Sequence, residues 1–121
     1  MRLLCADDEP DIRTILELAL GLEPRLEIEI FPSGVELLAR AKLGNVDAIL
    51  LDAMMPEMDG YETCRRLKAD PATAHVPVVF LTARAQRGEQ DVAIEVGAVA
   101  CLTKPFDPLT LAGELMVALG R

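Results

Sequence analysis

Ala48-Ile49-Leu50-Leu51-Asp52-Ala53-Met54-Met55-Pro56 decides how this chain is read: an apolar run stops on a carboxylate and gives way to a turn. The pattern repeats on both sides of it. Leu3-Leu4-Cys5-Ala6 ends on Asp7-Asp8, Val78-Val79-Phe80-Leu81 ends on Thr82, and Cys101-Leu102 leads to Lys104-Pro105. Short apolar runs separated by amphipathic stretches read as buried parallel strands. In an open α/β sheet the ligand crevice lies beyond the carboxyl ends of the strands. Three acids, a hydroxyl and a lysine are therefore expected to converge, although they are far apart in sequence. Clustered carboxylates repel one another and are costly to keep ionised unless a cation shares the site, which points to a hard divalent ion.

Each member brings its own chemistry. Mg²⁺ keeps several waters and takes one or two protein carboxylates beside a phosphoryl oxygen, a set that Asp7 and Asp8 can supply. Asp52 is then the carboxylate that attacks phosphorus to form an aspartyl phosphate, with the metal and the Lys104 ammonium neutralising the equatorial oxygens. The short hydroxyl of Thr82 can donate to a phosphoryl oxygen and move toward it once that group is present. The constellation reads as a phosphorylation switch.

The chain resembles the receiver domain of two-component response regulators, and is similar to the single-domain chemotaxis regulators. The resemblance is carried by Asp7-Asp8-Glu9-Pro10, by Leu51-Asp52-Ala53-Met54-Met55-Pro56-Glu57-Met58-Asp59-Gly60, by Leu81-Thr82-Ala83 and by Lys104-Pro105-Phe106, and so spans nearly the whole sequence. It implies a flavodoxin-like, doubly wound (βα)5 fold with a parallel sheet in the order 2-1-3-4-5. It also implies Asp52 as phosphoacceptor, Asp8 as a direct Mg²⁺ ligand, Asp7 as a ligand through water, and the backbone carbonyl of Met54 as the remaining protein ligand. Thr82 and Lys104 would hold the phosphoryl group, while Met54 and Arg84 would flank the approach of water and tune its lifetime. The implied donor is a phosphohistidine on a sensor histidine kinase or a phosphotransfer protein, and the implied receiver of the signal is a protein target or output domain. On this reading the domain catalyses only its own phosphorylation and dephosphorylation. An aspartyl-nucleophile phosphatase is disfavoured, because such enzymes place a DxD pattern after the first strand and Asp7-Asp8-Glu9-Pro10 does not.

Departures from the family pattern carry information too. Many receivers have Tyr or Phe three residues before the site lysine, where this chain has Cys101. A thiol is too small to fill the space behind a displaced Thr82 as a ring would, and Tyr61, in the third helix, is not placed to substitute. Gly97-Ala98-Val99-Ala100-Cys101 also lacks the acidic pair of the winged-helix DNA-binding class, so dimerisation through that class's salt bridges is not expected, and a monomer or weak dimer is. An exposed Val99 or Ala100 would offer a partner an apolar contact.

Composition sets bounds. At 121 residues the chain is read as one domain over 1–121. A net charge of −8 argues against nucleic acid, which is bound through Lys and Arg. No apolar run approaches the ~20 residues that span a bilayer, and nothing resembles a signal peptide, so a cytoplasmic location is expected. The three cysteines show no CxxC spacing and read as reduced buried thiols, not as a disulfide framework or a zinc site. Because the fifth helix would finish near Leu119-Gly120-Arg121, a stand-alone receiver and the receiver part of a longer regulator are both open.

The coarse order is strand-helix repeated, with strands near Leu3 to Ala6, Leu26 to Phe31, Ala48 to Leu51, Pro77 to Leu81 and Ala100 to Leu102. The first helix starts at Pro10, runs through Ile12, Ile15, Leu16 and Ala19 on one face, and stops around Gly21. Later helices begin near Ser33, Gly60, Gln86 and Asp107-Pro108, the last pair as N-cap and first helical position, and Gly97 suits a helix C-cap. Singly, the site residues have ordinary explanations: Asp7 and Asp8 as helix caps, Asp52 as a turn former, Gly60 as a turn signal. Only their joint occurrence argues for a site. His75, the one histidine, reads as a solvated loop residue.

Overall fold

Each apolar run is a strand in the computed structural model of the protein, which describes residues 1–83 and 87–121, the side chains of 87–90 excepted. In chain order the elements are β1 Arg2–Ala6, α1 Pro10–Gly21, β2 Glu27–Phe31, α2 Gly34–Ala41, β3 Ala48–Asp52, α3 Gly60–Ala69, β4 Val78–Thr82, α4 Arg87–Glu95, β5 Ala100–Thr103 and α5 Leu111–Ala118. All strand pairs are parallel, in the order β2-β1-β3-β4-β5. The chain therefore reverses its winding between β1 and β3, which opens a crevice at their carboxyl ends.

The sheet is covered on both faces, which is why its inner strands are apolar without alternation. Leu4, Ile49, Leu51 and Phe80 pack with Leu37 of α2, Cys64 and Leu67 of α3, and Ala93 of α4. Leu3, Leu50, Val79 and Leu81 point the other way, onto Leu16 and Leu20 of α1 and Leu111 and Leu115 of α5. β2 lies at an edge and is more exposed. Arg2 pairs there with Glu27 at 3.0 Å and Glu29 at 3.3 Å, and Arg40 with Glu29 at 3.1 Å. Charged side chains on an edge strand discourage pairing with another chain.

Local chemistry sets most boundaries. Pro10 opens α1. Ser33 and Asp59 cap α2 and α3, accepting hydrogen bonds from the amides of Glu36 (3.2 Å) and Glu62 (2.9 Å). Gly97, at φ +99°, ends α4 in a Schellman turn: its amide donates to Ile94 O and the Ala98 amide to Ala93 O, both at 3.0 Å. The turn is anchored from outside. The Cys64 thiol donates to Val96 O at 3.3 Å, and the Val99 amide donates to Val78 O at 2.9 Å. The stem of Lys68 lies against Gly97 while its ammonium donates to Ala74 O and Val76 O at 3.1 and 2.7 Å.

α5 departs from expectation. Asp107 and Pro108 do not start it; the helix begins at Leu111 with Thr110 as N-cap. The Asp107 carboxylate accepts from the Leu109 amide at 2.9 Å, and its carbonyl accepts from the Thr110 amide at 3.1 Å. A short acidic side chain that bonds the backbone two residues on forms an Asx turn, which competes with capping. Asp7 and Asp8 do not cap α1 either, since its N-cap is Glu9, without a side-chain hydrogen bond. The expected start of the fourth helix at Gln86 lies outside the described residues.

All three cysteines are thiols: Cys5 and Cys64 are buried, Cys101 half-buried. Burial pushes the Cys64 pKa up to about 11, against the opposing charges of Lys68 and Arg65, and raises that of Cys5 further. Since the thiolate is the nucleophile, an alkylating reagent at pH 8 is expected to modify the folded chain at Cys101 alone and all three positions after denaturation. Peptide mass mapping checks this, and labelling of Cys64 as fast as Cys101 would refute it.

Candidate functional site

The carboxyl ends of β1, β3, β4 and β5 bring the expected residues to one crevice. Asp7 follows β1 and is completely buried. Its amide donates to Phe31 O at 3.1 Å, and its Oδ1 accepts from the Glu9 amide at 2.9 Å. That turn leaves Asp8 half-buried at the crevice. Asp52 ends β3, is 5% exposed, and accepts the Met54 amide on Oδ1 at 3.2 Å. Gly60 packs against its backbone: a Cβ there would run into the Asp52 carbonyl oxygen and lie 3.0 Å from Ala53 Cα.

Lys104 arrives from beyond β5. Its amide donates to Thr82 O at 2.7 Å, and a cis bond joins it to Pro105. The ammonium bridges two acids, at 2.9 Å from Asp7 Oδ2 and 3.3 Å from Asp52 Oδ2. Thr82 is buried at the end of β4, paired in register with Thr103. Met54 presents an exposed side chain beside the crevice. Arg84 lies outside the described residues, and His75 is exposed in the turn before β4, away from the other site residues in sequence and by burial.

Electrostatics give this crevice its character. Burial, then the charge of Asp7, lift the Asp52 pKa to about 6; Lys104 and the Met54 amide pull the other way. Burial works against the Lys104 ammonium, but its hydrogen bond to Asp7 and the charges of Asp52 and Asp7 outweigh that and raise its pKa above the usual lysine range. One lysine thus serves two acids, with Asp8 close by. One oxygen from each of Asp7, Asp8 and Asp52 lies within 4.8 Å of the others. An all-oxygen donor set around excess negative charge suits a hard dication such as Mg²⁺ better than a thiolate- or imidazole-seeking metal.

One residue that the sequence reading gave only a structural role and one that it passed over belong to the crevice. Gly60 packs beneath Asp52, which goes beyond a turn signal. Arg13, one turn into α1, donates from Nη1 to Asp7 O at 2.9 Å; the only sequence signal was a basic residue shortly after an acidic pair. On the far side of β4, Cys101 is the register partner of Phe80, and the Tyr61 ring of α3 packs on Phe80 with centroids 4.9 Å apart. Val99 is exposed and Ala100 half-buried.

Comparison with known proteins agrees with this geometry. The family model "response regulator receiver domain" matches residues 3–115. The response regulator PleD of Caulobacter vibrioides is 45% identical over 111 residues, 91% of this chain and 24% of that protein. The transcriptional regulatory protein YclJ of Bacillus subtilis is 35% identical across the whole chain and 52% of its own length. The chain thus spans from a quarter to half the length of these relatives. Among solved structures, the chemotaxis protein CheY4 of Vibrio cholerae superposes with a TM-score of 0.89 at 30% identity, covering 97% of each chain. The receiver domain of the sensor histidine kinase PA1611 of Pseudomonas aeruginosa, which holds a magnesium ion in its active-site cleft, superposes at 0.85 with 28% identity, over 99% and 98% of the two chains. In fold, motif order and sequence, the chain belongs to the response regulator receiver domain family and works in phosphorylation-activated two-component signalling.

Proposed function

We propose that residues 1–121 form one receiver domain that accepts a phosphoryl group on Asp52 and catalyses both that transfer and its later hydrolysis. The observation that carries this reading is the environment of Asp52: a nearly buried carboxylate with Oδ1 held by the Met54 amide and Oδ2 facing the ammonium that also binds Asp7. Asp7, Asp8, Asp52 and the Met54 carbonyl would hold Mg²⁺, which supplies positive charge to the phosphoryl oxygens when bound. Asp52 is the nucleophile. One of its oxygens forms the bond to phosphorus as the bond to the donor's imidazole nitrogen breaks. Lys104 already stands at the crevice and stabilises the negative charge that gathers on the equatorial oxygens. Thr82 donates its hydroxyl to a phosphoryl oxygen, and only contacts of this kind, present in one state and absent in the other, can shift the equilibrium toward an active form.

The donor is a phosphohistidine on a sensor kinase or phosphotransfer protein. An apolar cleft lined by Ile12, Ile15, Phe106 and Pro108 opens beside Lys104 and gives such a donor a surface to rest on. The recipient of the signal is a protein target or an output domain, as the greater length of PleD and YclJ supports. Among the described residues no helix is long and apolar enough to cross a membrane, and the reading places the domain in the cytoplasm as a monomer or weak dimer.

Intact mass after incubation with a small acyl phosphate, with and without Mg²⁺, tests the proposal. One phosphoryl adduct that requires Mg²⁺, and that borohydride reduction locates at Asp52, is the expected outcome. An adduct elsewhere, or one indifferent to metal, would overturn the assignment.

A further inference from the structure

Asp7 is saturated. Its amide is held by Phe31 O at 3.1 Å, its Oδ1 by the Glu9 amide at 2.9 Å, its Oδ2 by Lys104 at 2.9 Å and its carbonyl by Arg13 at 2.9 Å. The first two follow from the sheet and from the turn into α1, and the third from the segment after β5. The fourth comes from six residues away, on a helix. The carbonyl of Asp7 points out of the strand where the ladder has ended, and a buried carbonyl there needs a donor. Arg13 supplies one, although Glu9 and Glu17 stand four residues to either side of it along the chain. Among the described residues its guanidinium makes no ion pair with either. It is half-buried, and its donor goes to the main chain of an acidic residue and not to a carboxylate.

Two opposite effects on a cation could come from this placement. As a charge, Arg13 would repel a dication and weaken its binding. As a strut, it would hold the Asp7-Asp8 backbone so that the half-buried Asp8 carboxylate stays within reach of Asp7 and Asp52, and so strengthen binding. The hydrogen bond to the carbonyl favours the strut, because it sets backbone direction at the residue before Asp8 while leaving all three carboxylates uncontacted by the guanidinium.

We propose that Arg13 is a positioning residue for the cation site, fixing the Asp7-Asp8 turn through the Asp7 carbonyl. The proposal rests on the reading of Asp7, Asp8 and Asp52 as the Mg²⁺ site. Groups that orient metal ligands from outside the coordination sphere typically contribute 10- to 100-fold to affinity. The sign of the effect separates strut from charge.

Isothermal titration of the whole chain with MgCl₂ decides it, using the unsubstituted protein, Asp8→Asn, Arg13→Met and Arg13→Lys at one pH and ionic strength. The unsubstituted chain is expected to bind and Asp8→Asn to lose binding. Arg13→Met, which keeps the apolar stem and removes the donor, is expected to bind at least about tenfold more weakly, and Arg13→Lys, which keeps a donor, to recover most of the loss. Equal or tighter binding by Arg13→Met overturns the proposal and leaves the metal site standing, as does an Arg13→Lys chain as weak as Arg13→Met. No binding by the unsubstituted chain overturns both. If the metal-free melting curve shows that Arg13→Met does not fold, Arg13→Gln replaces it: its amide ends short of the Nη1 position, so a roughly tenfold loss that Arg13→Lys recovers supports the strut, and equal or tighter binding refutes it.

Discussion

Asp52→Asn is expected to abolish the phosphoryl adduct completely and, in the absence of Mg²⁺, to leave a fold more stable at pH 7 than the unsubstituted one. The first effect follows from chemistry: an amide has the shape of the carboxylate but offers no anionic oxygen to attack phosphorus. The second follows from the site. Burial and the Asp7 charge raise the folded pKa of Asp52 from 3.8 to about 6. A carboxyl raised in this way binds its proton more tightly in the folded chain than in the unfolded one. Its contribution to stability is therefore favourable to folding only at low pH; it is lost as pH rises from about 4 to about 6, and above that range ionised Asp52 costs up to about 3 kcal/mol. The amide removes this term and with it one partner of Lys104, so a net gain of about 1–2 kcal/mol remains. Urea unfolding at pH 5 and pH 7.5 measures it. The substituted chain should show a flatter pH dependence through this window, and a variant less stable than its parent at pH 7.5 would mean that the Lys104 contact outweighs burial and repulsion. A residue that weakens the protein while making it work is a known signature of functional sites.

Gly60→Ala is expected to cost about 2–3 kcal/mol and to slow phosphorylation as well, the second large effect. The reason is geometric. The added Cβ would collide with the Asp52 carbonyl oxygen and lie 3.0 Å from Ala53 Cα. Both obstacles are backbone of the Asp52-Ala53 segment, so neither can rotate out of the way as a long side chain can. Relief requires α3 to retreat from β3 or the end of β3 to shift, and the second option moves Asp52. Denaturant unfolding together with the rate of adduct formation tests this. A chain of parental stability would show that the loop between β3 and α3 yields freely, and would remove Gly60 as the element that fixes the position of Asp52.

Much of this was legible in the residues. The strands were found within a residue or so of their limits because sheets covered on both faces impose apolar runs, and the polar residue that ends each run marks the carboxyl end of its strand. Asp7, Asp8, Asp52, Thr82 and Lys104 could be assigned to one end of the sheet by that rule alone. Their pairing could not. That Lys104 divides itself between Asp7 and Asp52 depends on contacts across 97 residues of chain, and no local pattern encodes which acid a lysine will choose. The start of α5 was misplaced for a local reason: Asp107 is equally suited to an Asx turn and to a helix cap, and only the direction of the following backbone selects between them. Gly60 was read as a turn residue because absence of a side chain looks the same whether the backbone needs freedom or a neighbour needs room. Arg13 escaped notice because its partner is a main-chain carbonyl, which has no signature in the sequence.

The Schellman turn at Gly97 carries a mechanical consequence. Three ties converge within a few residues of it, from Cys64 and Lys68 of α3 and from Val78 of β4. The end of α4 nearest β5 is therefore pinned to α3 and β4. Any displacement of α4 is then expected to pivot about Gly97, with the residues next to that turn moving least.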